Sequence, residues 1–109
     1  MTAFVQNTNV LDLIGLKNEI AGTFINNATV TVTIKDALGV NVSGGSWPLT
    51  MNYLATSNGN YRAFISETLP FVDKTKYIAY IDANGGANLV GHWELTFKPT
   101  ARSVIDVVT

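Results

Sequence analysis

Apolar and polar residues alternate most regularly between Ala28 and Lys35. Val30, Val32 and Ile34 take one parity, and Thr29, Thr31 and Thr33 take the other. A period of two built from β-branched residues predicts a half-buried strand, with the valines inward and the threonines outward. His92 to Phe97 repeats the pattern, with Trp93, Leu95 and Phe97 on one face and His92, Glu94 and Thr96 on the other. Less regular strands are predicted over Ile20 to Ile25, Ser46 to Tyr53, Tyr61 to Ser66, Lys76 to Ala83 and Ser103 to Val108. In the second of these, Trp47, Leu49, Met51 and Tyr53 share a face; Pro48 falls on the other, which suits an edge or a strand start.

Turn residues separate these runs. Asp36-Ala37-Leu38-Gly39 and Asp82-Ala83-Asn84-Gly85-Gly86 read as turns, and Ser57-Asn58-Gly59-Asn60 carries the strongest hairpin signal. Short strands with turns about every ten residues predict a sandwich or barrel. A helix over Asp12 to Ile20, where Leu13, Leu16 and Ile20 share a face, is the weaker reading of that stretch. Gly15 inside it costs about 1 kcal/mol relative to alanine. The expected fold is therefore all-β, an immunoglobulin-like antiparallel β-sandwich of about seven strands. Residues 1–19 are expected to form an N-terminal arm or short extra element, and residues 20–109 the sandwich. Val30, Val32, Ile34, Trp47, Leu49, Tyr61, Ile78, Trp93, Leu95 and Phe97 are the expected core.

Composition narrows the function. The 109 residues are 47% hydrophobic and only 14% charged, and the net charge is −1. So little positive charge argues against nucleic acid, whose phosphates demand a basic surface. The longest uncharged stretch is broken by Asn41, Ser43, Gly44, Gly45, Pro48 and Asn52, so no membrane helix is expected. The start of the chain has no basic residue and no continuous apolar run, and no signal peptide is read there. Without cysteine, thiolate metal sites and cysteine nucleophiles are excluded. A weakly charged surface suits a protein that lives in an assembly.

Candidate chemistry is sparse. The single histidine, His92, shares a strand face with Glu94, and Asp82 is the nearest further ligand in sequence. One imidazole and one carboxylate are too few for a closed zinc site, so an exposed polar face is the preferred reading. Asp82-Ala83-Asn84 starts like a calcium loop, but the acidic residue required at its twelfth position is Trp93. Tyr53, Tyr61, Tyr77, Tyr80, Trp47 and Trp93 are candidates for a sugar-stacking platform, and are better read as core or core rim. No enzyme activity and no cofactor are expected. The favoured contact residues are the apolar ends of the chain, Phe4, Val5, Val10 and Leu11 with Val104, Ile105, Val107 and Val108; a weaker contact face is Thr29, Thr31 and Thr33.

The run Ala28-Thr29-Val30-Thr31-Val32-Thr33-Ile34-Lys35-Asp36, then Gly39, Gly45, Trp47-Pro48-Leu49 and Tyr53, has a recognisable order. It continues with Asn58-Gly59-Asn60-Tyr61-Arg62, Lys76-Tyr77 and Gly91-His92-Trp93-Glu94-Leu95. From about Ala21 to Arg102 it resembles small immunoglobulin-like proteins encoded among the head and neck genes of tailed bacteriophages. That resemblance implies a non-enzymatic virion component, either capsid decoration or a head-to-tail neck or collar protein. Its partners would be other virion proteins (major capsid, portal or adaptor, or tail proteins), met in many copies per particle. It would be made and assembled in the bacterial cytoplasm. The alternative is a carbohydrate- or cell-surface-binding module of an adhesin or tail fibre.

Overall fold

The computed structural model describes residues 2–86 and 88–101. Among them are eight strands: β1 (Asn9–Leu13), β2 (Lys17–Asn18), β3 (Thr23–Phe24), β4 (Thr29–Asp36), β5 (Leu49–Tyr53), β6 (Tyr61–Ile65), β7 (Tyr77–Asn84) and β8 (Val90–Phe97). The described residues contain no helix. Asp12 to Ile20 instead holds the end of β1, a bend at Gly15, where φ is +71°, and β2. The fold is all-β and sandwich-like, as its alternation predicts. β2–β3 is a separate small hairpin, and the other six strands form one antiparallel sheet in the order β1-β6-β5-β4-β7-β8.

The six-stranded sheet curls because β5 changes partner along its length. Its first part pairs with β4 (Val30 with Met51, Val32 with Leu49), and its last part pairs with β6 (Asn52 with Arg62, Tyr53 with Tyr61). One layer is thus β1-β6 and the other β4-β7-β8, with β5 at the corner. The inward parity of each strand fills the space between them. Val30, Val32 and Ile34 of β4 lie opposite Ala83, Ile81 and Ala79 of β7, and all six are buried. Leu11, Tyr61, Ala63 and Ile65 close the core from the other layer.

Both ends are pinned by specific contacts. At one end Phe71, Tyr77 and Phe97 form an edge-on and stacked triad, with centroids 4.9 to 5.9 Å apart. At the other end the Asn58-Gly59 turn meets the segment between β1 and β2. The Leu16 amide donates to the Gly59 carbonyl at 2.8 Å, and the Gly59 amide donates to Asn26 Oδ1 at 2.8 Å. Gly59 is obligatory here. Its φ is +71°, and a Cβ would stand 2.4 Å from the Leu16 carbonyl oxygen.

Residues 3–13 are woven into the sandwich. β1 pairs with β6 along its whole length. Before β1, the chain bonds to the segment after β8: the Val5 amide donates to the Thr100 carbonyl at 3.1 Å, and the Thr100 amide to the Ala3 carbonyl at 3.0 Å. Asn9, 4% exposed, holds the turn between them by accepting from the Phe4 amide and donating to the Phe4 and Asn7 carbonyls. Every polar atom of this buried amide is thereby used.

The expected core needs two corrections. Ile78 lies on the outer parity of β7, between Lys35 and Thr96, because Tyr77, Ala79 and Ile81 take the inward one. Trp93 is on the inward parity but is 40% exposed, because β8 is the last strand of the sheet and the ring lies along its own strand over Gly91. Trp47, Leu49 and Leu95 are partly buried against the core, and Val30, Val32, Ile34, Tyr61 and Phe97 are fully inside.

Candidate functional site

Two surfaces stand out, one polar and one apolar. The polar one is the outer face of β4-β7-β8. There Thr29, Thr31 and Thr33 of β4 lie beside Asn84, Asp82 and Tyr80 of β7, and Asp82 and Tyr80 lie beside His92 and Glu94 of β8. His92 Nδ1 is 2.6 Å from Asp82 Oδ1, and Nε2 is 3.0 Å from Glu94 Oε2. The hydrogen bond to Asp82 and then that to Glu94 raise the His92 pKa above the ordinary 6.5, because both carboxylates favour the imidazolium. Tyr80 lies beside the imidazole, with centroids 6.0 Å apart, and Lys35 Nζ sits 5.5 Å from the Tyr80 ring centroid.

This geometry bears on the metal question raised by His92, Glu94 and Asp82. The carboxylates flank the imidazole on opposite sides, one at each nitrogen, rather than converging on a common point. Among the described residues no cluster of three or more His, Asp or Glu is arranged to hold a metal. The arrangement works as a charged clamp tying β7 to β8. The face beside it is grooved: Thr33, Lys35, Asn41, Trp47, Tyr80 and Asp82 line a shallow cleft of about 390 Å³. Trp47 contributes ring surface only, since its indole N–H donates to the Val42 carbonyl at 2.8 Å.

The apolar surface caps the end of the sandwich that carries the β2–β3 hairpin. Ile14 is 66% exposed, Ile20 fully, and Val90 75%. These residues and Trp93 border a cleft of about 490 Å³ between the end of β1, the hairpin and the start of β8. Phe24, also exposed in part, has Lys17 Nζ 5.8 Å from its ring centroid. A second apolar pair, Val10 and Phe64, stands on the outer face of β1-β6, where the two residues are directly opposite.

The sequence-derived contact residues are scattered by this structure. Val10 faces outward beside Phe64. Leu11 is 2% exposed and belongs to the core, so it offers no surface to a partner; strand alternation turns it inward. Phe4 and Val5 are half-buried in the contact with Thr100. Val104, Ile105, Val107 and Val108 lie outside the described residues. Thr29, Thr31 and Thr33 do share one outer face, as expected, with Thr31 and Thr33 half-buried.

Sequence reading missed Ile14, Ile20, Phe24, Phe64 and Val90. Phe64 carried a usable signal, because it is an apolar residue on the parity opposite to Tyr61, Ala63 and Ile65. Among the described residues no helix is long and apolar enough to cross a membrane. No family model, curated protein or solved structure matches the chain.

Proposed function

We propose that this protein is a non-enzymatic structural component of a tailed-phage virion. In this reading it is a sandwich module that attaches in many copies to a capsid lattice or a head-to-tail ring. The observation that carries the reading is the exposed apolar end at the β2–β3 hairpin, where Ile14 and Ile20 stand out from the cleft. Large apolar side chains gathered at one end mark a surface that a neighbour covers. The motif order that resembles phage head and neck proteins supports the same reading, since its strands follow one another through a single sandwich. Attachment then rests on shape and apolar contact, with few ion pairs, in keeping with a chain only 14% charged.

The test is reconstitution. Particles from a phage deleted for this gene are mixed with purified protein and sedimented. Native protein is expected to co-sediment, and Ile14→Ser with Ile20→Ser, both off the β8 edge, to reduce the bound fraction while the fold, read by circular dichroism, is unchanged. Equal binding by the variant overturns the apolar end as the attachment surface. No binding by the native chain removes the virion reading.

A second reading, a carbohydrate-binding module, is favoured by one feature. The cleft on β4-β7-β8 combines ring surface from Tyr80 and Trp47 with the polar groups of Thr33, Asn41 and Asp82. Tyr53 is less available, because its hydroxyl donates to the Ser57 carbonyl and its ring packs on Tyr61. Glycan binding lost in Trp47→Ala and Tyr80→Ala, with binding to particles retained, would place this reading first.

A further inference from the structure

β8 is the last strand of the six-stranded sheet, and among the described residues nothing pairs with its outer edge from Val90 to Phe97. It spans eight residues, whereas β1 at the opposite edge spans five and carries the Asp12–Arg62 ion pair, 2.7 Å. Natural sheets blunt a long edge or use it. No proline or bulge interrupts this one.

The edge is self-complementary. A two-fold axis perpendicular to a sheet pairs a strand with its own copy so that each residue faces one of the same parity. Only a few registers are then available, each centred on one residue. Centring on His92 puts imidazole opposite imidazole, and centring on Glu94 puts carboxylate opposite carboxylate. Centring on Trp93 puts His92 opposite the copy's Glu94 and Glu94 opposite the copy's His92. On the other face it puts Trp93 against Trp93 and Leu95 opposite Gly91. The Trp93 ring already lies over Gly91, where a Cβ would stand 2.4 Å from it, so it is held against its own strand at the position where the copy's Leu95 arrives.

From this charge complementarity we infer that the β8 edge is a docking surface for a second copy of this chain. The two β8 strands pair antiparallel about Trp93 and join two β4-β7-β8 layers into one continuous sheet. His92, Trp93 and Glu94 all have substantial exposed surface in the single chain, as this requires. Opposite charges and aromatic rings placed directly across a strand pair are both stabilising. Val90, 75% exposed, is covered by the copy's Thr96 in the same register.

The experiment is sedimentation velocity on the purified full chain over a range of concentrations. A monomer–dimer equilibrium is expected. His92→Glu or Glu94→Lys alone places like charges at two symmetry-related pairs and is expected to weaken the dimer about tenfold. The double substitution His92→Glu/Glu94→Lys restores opposite signs and is expected to recover most of the loss. Register is tested separately with Val90→Cys/Thr96→Cys in a chain that has no cysteine of its own. The two thiols are about 20 Å apart within one strand, too far to join internally, but face each other across the dimer. Oxidation is expected to link the double variant into covalent dimers and to leave each single variant largely unlinked. A chain that stays monomeric at every concentration overturns the inference, as does equal linking of the single and double variants. Neither result touches attachment to virions, which is read on particles.

Discussion

The amide of Leu16 donates to the carbonyl of Gly59, and the Cβ that Gly59 lacks would lie 2.4 Å from the Leu16 carbonyl oxygen. Two loops far apart in sequence are thus in backbone contact, and this contact carries the β2–β3 hairpin beside the apolar end. Gly59→Ala combines a positive φ with a collision against backbone that has no flexible end to move. A loss of about 2 kcal/mol or more is expected in urea denaturation. Amide exchange should show Leu16 and Ile25 losing protection before the core strands. Unchanged protection at Leu16 would contradict the pinning role.

Tyr61 is 1% exposed, and its hydroxyl donates to the Ile25 carbonyl at 2.7 Å and accepts from the Ala28 amide at 3.1 Å. Tyr61→Phe keeps the ring and leaves both backbone groups without this partner. The expected cost is about 1–3 kcal/mol, measured by chemical denaturation. A variant as stable as the native chain would mean that water replaces the hydroxyl fully.

The His92 clamp has a definite pH signature. Its folded pKa is raised, so the clamp contributes fully below the unfolded value of about 6.5 and is lost as pH rises through the higher folded value. An NMR titration of the His92 ring is expected to give a midpoint above 6.5. Asp82→Asn should lower that midpoint more than Glu94→Gln, because the hydrogen bond to Asp82 is the larger cause. The reverse order would show that Glu94 is the principal partner.

Asp12 moves oppositely. Its hydrogen bonds to Arg62, 2.7 and 3.0 Å, hold its carboxyl below the usual carboxylate value. The pair therefore contributes above the unfolded carboxylate pKa and is lost as pH falls through the lower folded one. Arg62→Gln should return the Asp12 titration toward its ordinary value, followed by carboxyl carbon chemical shifts. An unmoved titration would show that backbone surroundings set it instead.

Much of this architecture was readable in the sequence, and the failures have physical causes. The Val30-Thr31-Val32-Thr33-Ile34 alternation specified a strand, its inward face and its outward threonines, because only one parity is apolar. β7 was ambiguous, since Ile78 and Tyr80 are as apolar as Tyr77 and Ile81; small alanines at 79 and 83 on the inward parity let the two layers approach. Trp93 was assigned its face correctly, but exposure depends on being the last strand, which local pattern does not encode. The pairing of Ala3 and Val5 with Thr100 spans nearly the whole chain, so no window of sequence contains it. The Asp82–His92–Glu94 clamp was half-legible: alternation placed His92 and Glu94 together, and only the β7–β8 register brought Asp82 to them.

The central claim is that this chain is a many-copy virion component. It is tested most directly by quantitative mass spectrometry of density-purified phage particles from the source, counting this chain against the major capsid protein. The account predicts its presence at a fixed ratio, with hundreds of copies for capsid decoration or about a dozen for a ring. Its absence from every class of particle would contradict the claim and leave the carbohydrate-binding cleft as the reading to pursue.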